Sequence, residues 1–228
     1  MPPEMTSRLS SVRRWIAVGF VAVLPLVVLL VHAQMETPLL RPLDADRPIP
    51  TFISQEGPGN RPGDRDLAEH ALEAWAKATG GILTFRFVEE KDALLRLRWV
   101  SAPGSLYGEM RPIMVEGRKG AEVFVRPEIA GLGKELDARA RADSLFRDTI
   151  VYLTCLHEFG HALGLDHTAN YEDIMFSFGY EGDIMNYFQR YRRQLQKRED
   201  IALHLGLSEL DLKRIRQLYP PPRIPARQ

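Results

Sequence analysis

His157-Glu158-Phe159-Gly160-His161-Ala162-Leu163-Gly164-Leu165-Asp166-His167 is the stretch on which the reading of this chain turns. Two histidines four apart on a helix lie about 40° apart around its axis, so both rings can meet one ion. Continuing that helix to residue 167 rotates the third ring roughly 240° from His161, away from the ion. Gly164 resolves the conflict, because glycine takes the left-handed conformation that ends helices at no steric cost and lets the chain double back. Three nitrogens then converge and leave a fourth tetrahedral position open, the pattern of a catalytic zinc site and not of a structural one. Glu158, beside the first ligand, is placed to act as general base on water held there. His-Glu-x-x-His alone arises by accident on many helices. The glycine and the third histidine at fixed offsets make the signal specific.

Upstream, Thr149 to Leu156 carries no charge on any face, which predicts a buried central helix running from about Asp143 to Gly164. Cys155 lies about 200° around that helix from His157 and is expected to be a buried structural thiol. As the single cysteine among 228 residues, it rules out an intramolecular disulfide and Cys-rich zinc ribbons. His70 and His204 lack a partner at ligand spacing. Thirty basic residues balance thirty acidic ones, so no global field points to nucleic acid.

The rest of the chain alternates strand and helix patterns. A first strand is expected over Pro50–Ser54, and Gly57 to Gly63 reads as a loop. Asp64 or Asp66 then caps a helix whose Leu67, Ala71, Leu72, Trp75 and Ala78 form one stripe, ended by Gly80-Gly81. Period-two alternation marks strands at Leu83–Phe87 and Leu95–Trp99, and two more are expected at Arg111–Val115 and Ala121–Arg126. Lys134 to Arg141 reads as a short helix or a loop. A helical pattern from Ile184 to Leu195 carries a basic face of Arg190, Arg192, Arg193, Lys197 and Arg198, expected to be solvated. Ser208-Glu209-Leu210-Asp211 opens a last helix like a capping box, and Tyr219-Pro220 closes it.

With these residues in place, the chain resembles the metzincin zinc peptidases, and among them the matrixins. Met175 stands eight residues after His167, where the matrixin pattern has the methionine of its Met-turn; Met185 is a rival by composition. The resemblance also runs through His70 to Trp75, Leu83-Thr84-Phe85 and Leu210–Tyr219. It implies an α/β (α+β) zincin-like domain: a twisted, mostly parallel sheet of about five strands, a central active-site helix and two or three further helices. It also implies a polypeptide substrate lying along an edge strand, expected within Tyr107–Val115. Phe176, Phe178 and Tyr180, directly after the Met-turn, are candidate pocket residues. No histidine lies between His70 and His157, so the second, structural zinc of many matrixins is not expected, and neither is a cysteine switch. Calcium has no dense acidic loop to support it.

At the N-terminus, Arg8, Arg13 and Arg14 precede an uncharged run from Trp15 to Met35, with Val31-His32-Ala33 as a cleavage site. Residues 1–33 are expected to be a signal peptide, or an N-terminal membrane anchor if left uncleaved. Residues 34–47 read as a Pro-rich linker, 48–220 as the catalytic domain with a helical insert at about 177–207, and 221–228 as a Pro-rich tail. The resulting expectation is an extracytoplasmic zinc-dependent endopeptidase with one catalytic Zn2+ ion, touching membrane only through an uncleaved N-terminal segment. The alternatives are a membrane-tethered zinc-bearing binding module without turnover and a narrow-specificity processing protease. Subsite preference, activation route and oligomeric state are not legible in the residues.

Overall fold

A computed structural model describes residue 43, residues 48–101 and residues 107–221. The expected signal peptide or anchor, nearly all of the linker and all but the first residue of the tail lie outside the described residues. No helix among the described residues is long and apolar enough to cross a membrane.

Five strands form one sheet: β1 (Ile49–Ile53), β2 (Phe85–Phe87), β3 (Leu95–Trp99), β4 (Gly108–Val115) and β5 (Arg118–Val125). Their order is β2-β1-β3-β5-β4. β1 pairs in parallel with β2 and β3, and β3 pairs in parallel with β5. β4 runs antiparallel to β5 and is the edge on the side of the histidine helix. Glu116 and Gly117, at φ 49° and 75°, make the tight two-residue turn that joins them. The mostly parallel, five-stranded sheet agrees with the fold expected from the resemblance.

The described residues also form five α-helices: α1 (Asp64–Ala78), α2 (Lys134–Ala142), α3 (Ser144–Ala162), α4 (Ile184–Arg192) and α5 (Glu209–Leu218). The alternation in β3 sends Leu95, Leu97 and Trp99 inward, and Ala121, Val123 and Val125 of β5 share that face in register. α1 lays its Leu67, Ala71, Leu72 and Trp75 stripe against α3, where the Trp75 indole donates to Leu156 O at 3.0 Å. α3 also packs against β4, β5 and α4, which is why its middle has no room for a charge. Cys155 is wholly buried there, and burial pushes its thiol well above the ordinary range.

Three local expectations need correction. Neither Asp64 nor Asp66 caps α1; Gly63, at φ 90°, precedes it without a side-chain cap. Asp64 is instead drawn inward by Arg147 of α3, with Arg147 Nη2 at 2.7 Å from Asp64 Oδ2 and both side chains almost fully buried. The strand expected at Leu83–Phe87 is only three residues long, and Phe87 is 46% exposed beneath the Arg65 guanidinium. It forms the far edge of the sheet, where Leu83 is fully buried and Phe85 packs partly on the core, so only the end of the period-two pattern is left uncovered. The basic face of α4 and the segment after it is also only partly solvated. Arg192 reaches Asp143 at 3.0 Å and Arg198 reaches Asp148 at 2.9 Å, binding this region to the start of α3.

Candidate metal centre and cleft

His157 and His161 stand one turn apart near the end of α3, which closes at Leu163. Gly164 then adopts φ 99°. Leu165 N donates to Gly160 O and Gly164 N to His161 O, both at 2.9 Å, the paired bonds of a Schellman turn. This reversal returns His167 to the face that carries the other two rings. His167 Nε2 lies 3.2 Å from His157 Nε2 and 3.1 Å from His161 Nε2.

The opposite nitrogens are already committed. His157 Nδ1–H donates to Ile174 O at 2.6 Å and His161 Nδ1–H to Leu165 O at 2.8 Å. Both rings therefore turn a lone pair, not a hydrogen, toward the shared point. His167 can offer one hydrogen at most, so the three rings cannot satisfy one another, and their free lone pairs are a set that could hold a cation. Three nitrogens tetrahedrally arranged at zinc–nitrogen distances are about 3.3 Å apart, close to the spacings seen here. Among the described residues this is the one group of three or more His, Cys, Asp or Glu side chains with atoms near enough to hold an ion. Burial, reinforced by His161, pushes His157 down to about 3; burial also lowers His161 and His167. All three rings are thus neutral at pH 7, as metal ligation requires.

Glu158 follows His157 on the helix and is buried under the start of β4. A Cβ placed on Gly108 would lie 2.5 Å from Glu158 Oε1 and 2.7 Å from its Cδ, so only glycine lets the strand pass over this carboxylate. Burial, with a smaller contribution from the charge of Glu109, pushes Glu158 up to about 8. Tyr107 O accepts from Arg126 N of the neighbouring chain segment at 2.9 Å. By strand alternation the backbone groups of Gly108 point out of the sheet edge, toward the cleft.

Beneath the rings, Thr168 N donates to Met175 O at 2.8 Å and Ser177 N to Thr168 O at 3.1 Å, closing the turn that bears Met175. Met175 is fully buried against Gly160, whereas Met185 is half-buried on α4. A cleft of about 580 Å³ opens between β4, α3 and the segment after Met175, and the three histidines and Glu158 line it. Phe176 and Phe178 lie in its wall, their ring centroids 5.3 Å apart at 87°. Tyr180 closes a short 3-10 turn, and its side chain lies outside the described residues.

Sequence reasoning missed much of this wall. Ile184, Tyr187 and Phe188 of α4 line the cleft as well, and Tyr187 packs on both phenylalanines. The same residues formed the apolar stripe of the predicted helix, and periodicity does not separate a core face from a cleft face. Gly108 and Glu109 lie within the edge segment expected to carry substrate, but their closeness to Glu158 had no motif to announce it.

The matrixin family model matches residues 53–220. Macrophage metalloelastase of Oryctolagus cuniculus is 29% identical over 115 residues, which are 49% of this chain and 23% of that protein. Stromelysin-1 of Rattus norvegicus is 28% identical over 158 residues, 68% of this chain and 28% of its own length. Interstitial collagenase of Bos taurus is 29% identical over 117 residues, 51% of this chain and 24% of its own. The chain thus spans about a quarter of the length of each relative. With the family match running from β1 to the end of α5 and across all three histidines, this chain belongs to the matrixin family.

Proposed function

We propose that this protein is a zinc-dependent endopeptidase acting outside the cytoplasm, with His157, His161 and His167 as metal ligands and Glu158 as general base. The observation that carries the reading is His167 Nε2 lying 3.2 Å and 3.1 Å from the Nε2 atoms of His157 and His161, both of which are fixed as lone-pair donors by backbone carbonyls. Zinc bound there supplies a Lewis acid that polarises a carbonyl and brings the pKa of water from 15.7 toward roughly 7.

The chain's own groups do the rest. Ile174 O and Leu165 O hold two imidazoles in one tautomer and orientation, which removes the cost of arranging them on each turnover. With the positive charge of a bound zinc favouring its ionised form over the raised value set by burial, the Glu158 carboxylate under Gly108 would take a proton from the attacking water and return it to the departing amine. An extended peptide pairs with the outward backbone groups of Gly108 and Met110 along β4. Pro112 has no N–H to offer, so the ladder weakens there. One substrate side chain enters the space walled by Phe176, Phe178 and Tyr187.

The test uses the full-length protein. We expect about one zinc per chain, peptide cleavage abolished by chelation and restored by zinc, and a Glu158→Gln variant that keeps zinc but loses about 10²–10⁴ in kcat. Unchanged turnover by that variant eliminates the assigned base. A peptide-library digest separates general from narrow cleavage, and zinc without any cleavage would favour the binding-module alternative. Export of the chain is read from the basic and apolar N-terminal segment, and protease accessibility in intact cells tests it.

A further inference from the structure

The face of the sheet turned away from α3 carries a row of charges that ends at the β4 edge. Period two decides which side chains share that face. Gly108 faces Glu158 of α3 and Met110 packs on the core, so Glu109 and Arg111 point to the opposite side, where both are exposed. On β5, Phe124 stands opposite Glu109, and Glu122 stands opposite Arg111. Arg98 of β3 bonds to Glu122, Nε to Oε1 at 2.9 Å, and also to Glu90. Acid and base therefore alternate from Glu90 through Arg98, Glu122 and Arg111 to Glu109, and the last member, at the open edge, is an acid.

Arg111 holds that acid in place. Its guanidinium lies 4.9 Å from the centre of the Phe124 ring and grips Glu109 twice, Nε to Oε1 at 2.7 Å and Nη2 to Oε2 at 2.8 Å. Those bonds keep the Glu109 carboxyl below its ordinary value, so it is charged at pH 7. A carboxylate has about four acceptor sites, and Arg111 occupies two. Among the described residues no other cation is bonded to Glu109. Arg96, beside Arg98 on β3, turns to Ala93 O and Lys91 O, at 3.0 and 3.4 Å. Arg118 is six residues from Phe124 along β5, about 20 Å away at strand rise.

The row ends at the cleft. Glu109 lines it with Gly108 and Met110, and its charge reaches Glu158, adding to the effect of burial there. A peptide strand laid on β4 repeats the alternation, so the residues before and after the one that enters the cleft put their side chains on the Glu109 face. Opposite charges on neighbouring strands attract and like charges repel.

We propose that Glu109 is a specificity-determining residue that selects polypeptides with Lys or Arg directly beside the side chain entering the cleft. The inference rests on the endopeptidase reading for the place of the substrate strand, and it names the substrate class of that same site. Arg111 selects less, because it already stands between Glu109, whose charge it feels first, and Glu122.

The experiment uses the full-length zinc-loaded protein and quenched peptides that share one large apolar residue, with Lys, Arg, Gln or Glu immediately before or after it. At one of the two positions, kcat/KM for Lys and Arg should exceed that for Gln by about 1.5- to 5-fold, and Glu should fall short of Gln by a similar factor. Raising salt from about 0.05 to about 0.5 M should flatten these ratios, since the pair is exposed. Glu109→Gln should bring them to about one, and Glu109→Lys should turn them over in favour of Glu. Ratios are read within each variant, so a change in its overall rate does not enter. A second arm measures Kd for the same peptides in the Glu158→Gln background, with and without Glu109→Gln, and the same order is expected. Binding that follows charge through Glu109 without any cleavage by wild type would sink the endopeptidase reading and leave this selection standing. Equal kcat/KM and equal Kd across the four peptides would overturn it, as would a preference for Lys that survives Glu109→Gln. Neither cleavage nor binding would overturn both readings.

Discussion

Replacing Gly160 with alanine sets two effects against each other at the point where α3 meets the Met175 turn. Alanine is favoured over glycine inside a helix by about 0.8–1.0 kcal/mol, which acts to stabilise. The added methyl, however, would overlap Met175 Sδ outright and sit 3.2 Å from Trp75 Cζ2 and 3.3 Å from Met175 Cε. Comfortable separations are about 3.5–4.0 Å, so the Met175 side chain must retreat by on the order of 1 Å. It has little room to do so, since Met175 and Trp75 are both fully buried. Overpacking of this kind costs about 1–3 kcal/mol. The sum is a loss of roughly 0–2 kcal/mol, with the turn displaced away from the histidines. Urea denaturation in chelator reads the stability change without metal linkage, and competition with a chromophoric chelator reads zinc affinity. The expected result is a net loss of stability together with weaker zinc binding. A variant about 1 kcal/mol more stable than wild type with unchanged zinc affinity would refute the reasoning, because it would mean that nothing presses on Gly160.

Three further outcomes follow from single contacts. Gly108→Ala should displace the Glu158 carboxylate and lower kcat by roughly 10²-fold while zinc stoichiometry stays unchanged; steady-state kinetics with metal analysis reads both, and normal kcat would show that the strand yields instead. Asp143 caps α3 by accepting from Phe146 N at 3.0 Å; burial would raise its pKa, but that bond and Arg192 and Arg139 outweigh it and hold the carboxyl below its ordinary value. Its stabilisation is therefore complete above the unfolded pKa and lost as pH falls through the lower folded one. Asp143→Ala should cost about 0.5–2 kcal/mol at pH 7 in a denaturant melt, and the gap from wild type should narrow below about pH 4. Arg147→Met strands the buried Asp64 carboxylate and should cost about 3–5 kcal/mol, and Asp64→Asn combined with it should recover part of that loss.

Legibility in this chain follows how local the cause of each feature is. The ends of α3, the reversal at Gly164 and the capping box of Ser208 and Asp211 depend on residues within one or two turns, and the sequence displays them directly. The stripes of α1 and β3 are legible for the same reason: period alone assigns a dry face. What that face meets is a different matter. Tyr187 and Phe188 satisfy the same periodicity whether they fill a core or wall a cleft, and what decides is α3 and the turn at Phe176, brought to them by the fold. Acidic residues pose the harder case. Asp64, Asp173 and Asp211 look in sequence like the many solvated carboxylates beside them, yet each is buried because a distant partner compensates it: a guanidinium 83 residues away for Asp64, backbone and hydroxyl donors from another segment for the other two. Burying a charge is so costly that it happens only where such donors are already fixed in place. An internal carboxylate therefore reports the completed fold, and Asp173 and Asp211 are recognised as buried only once α5 is set against the turn that carries Met175.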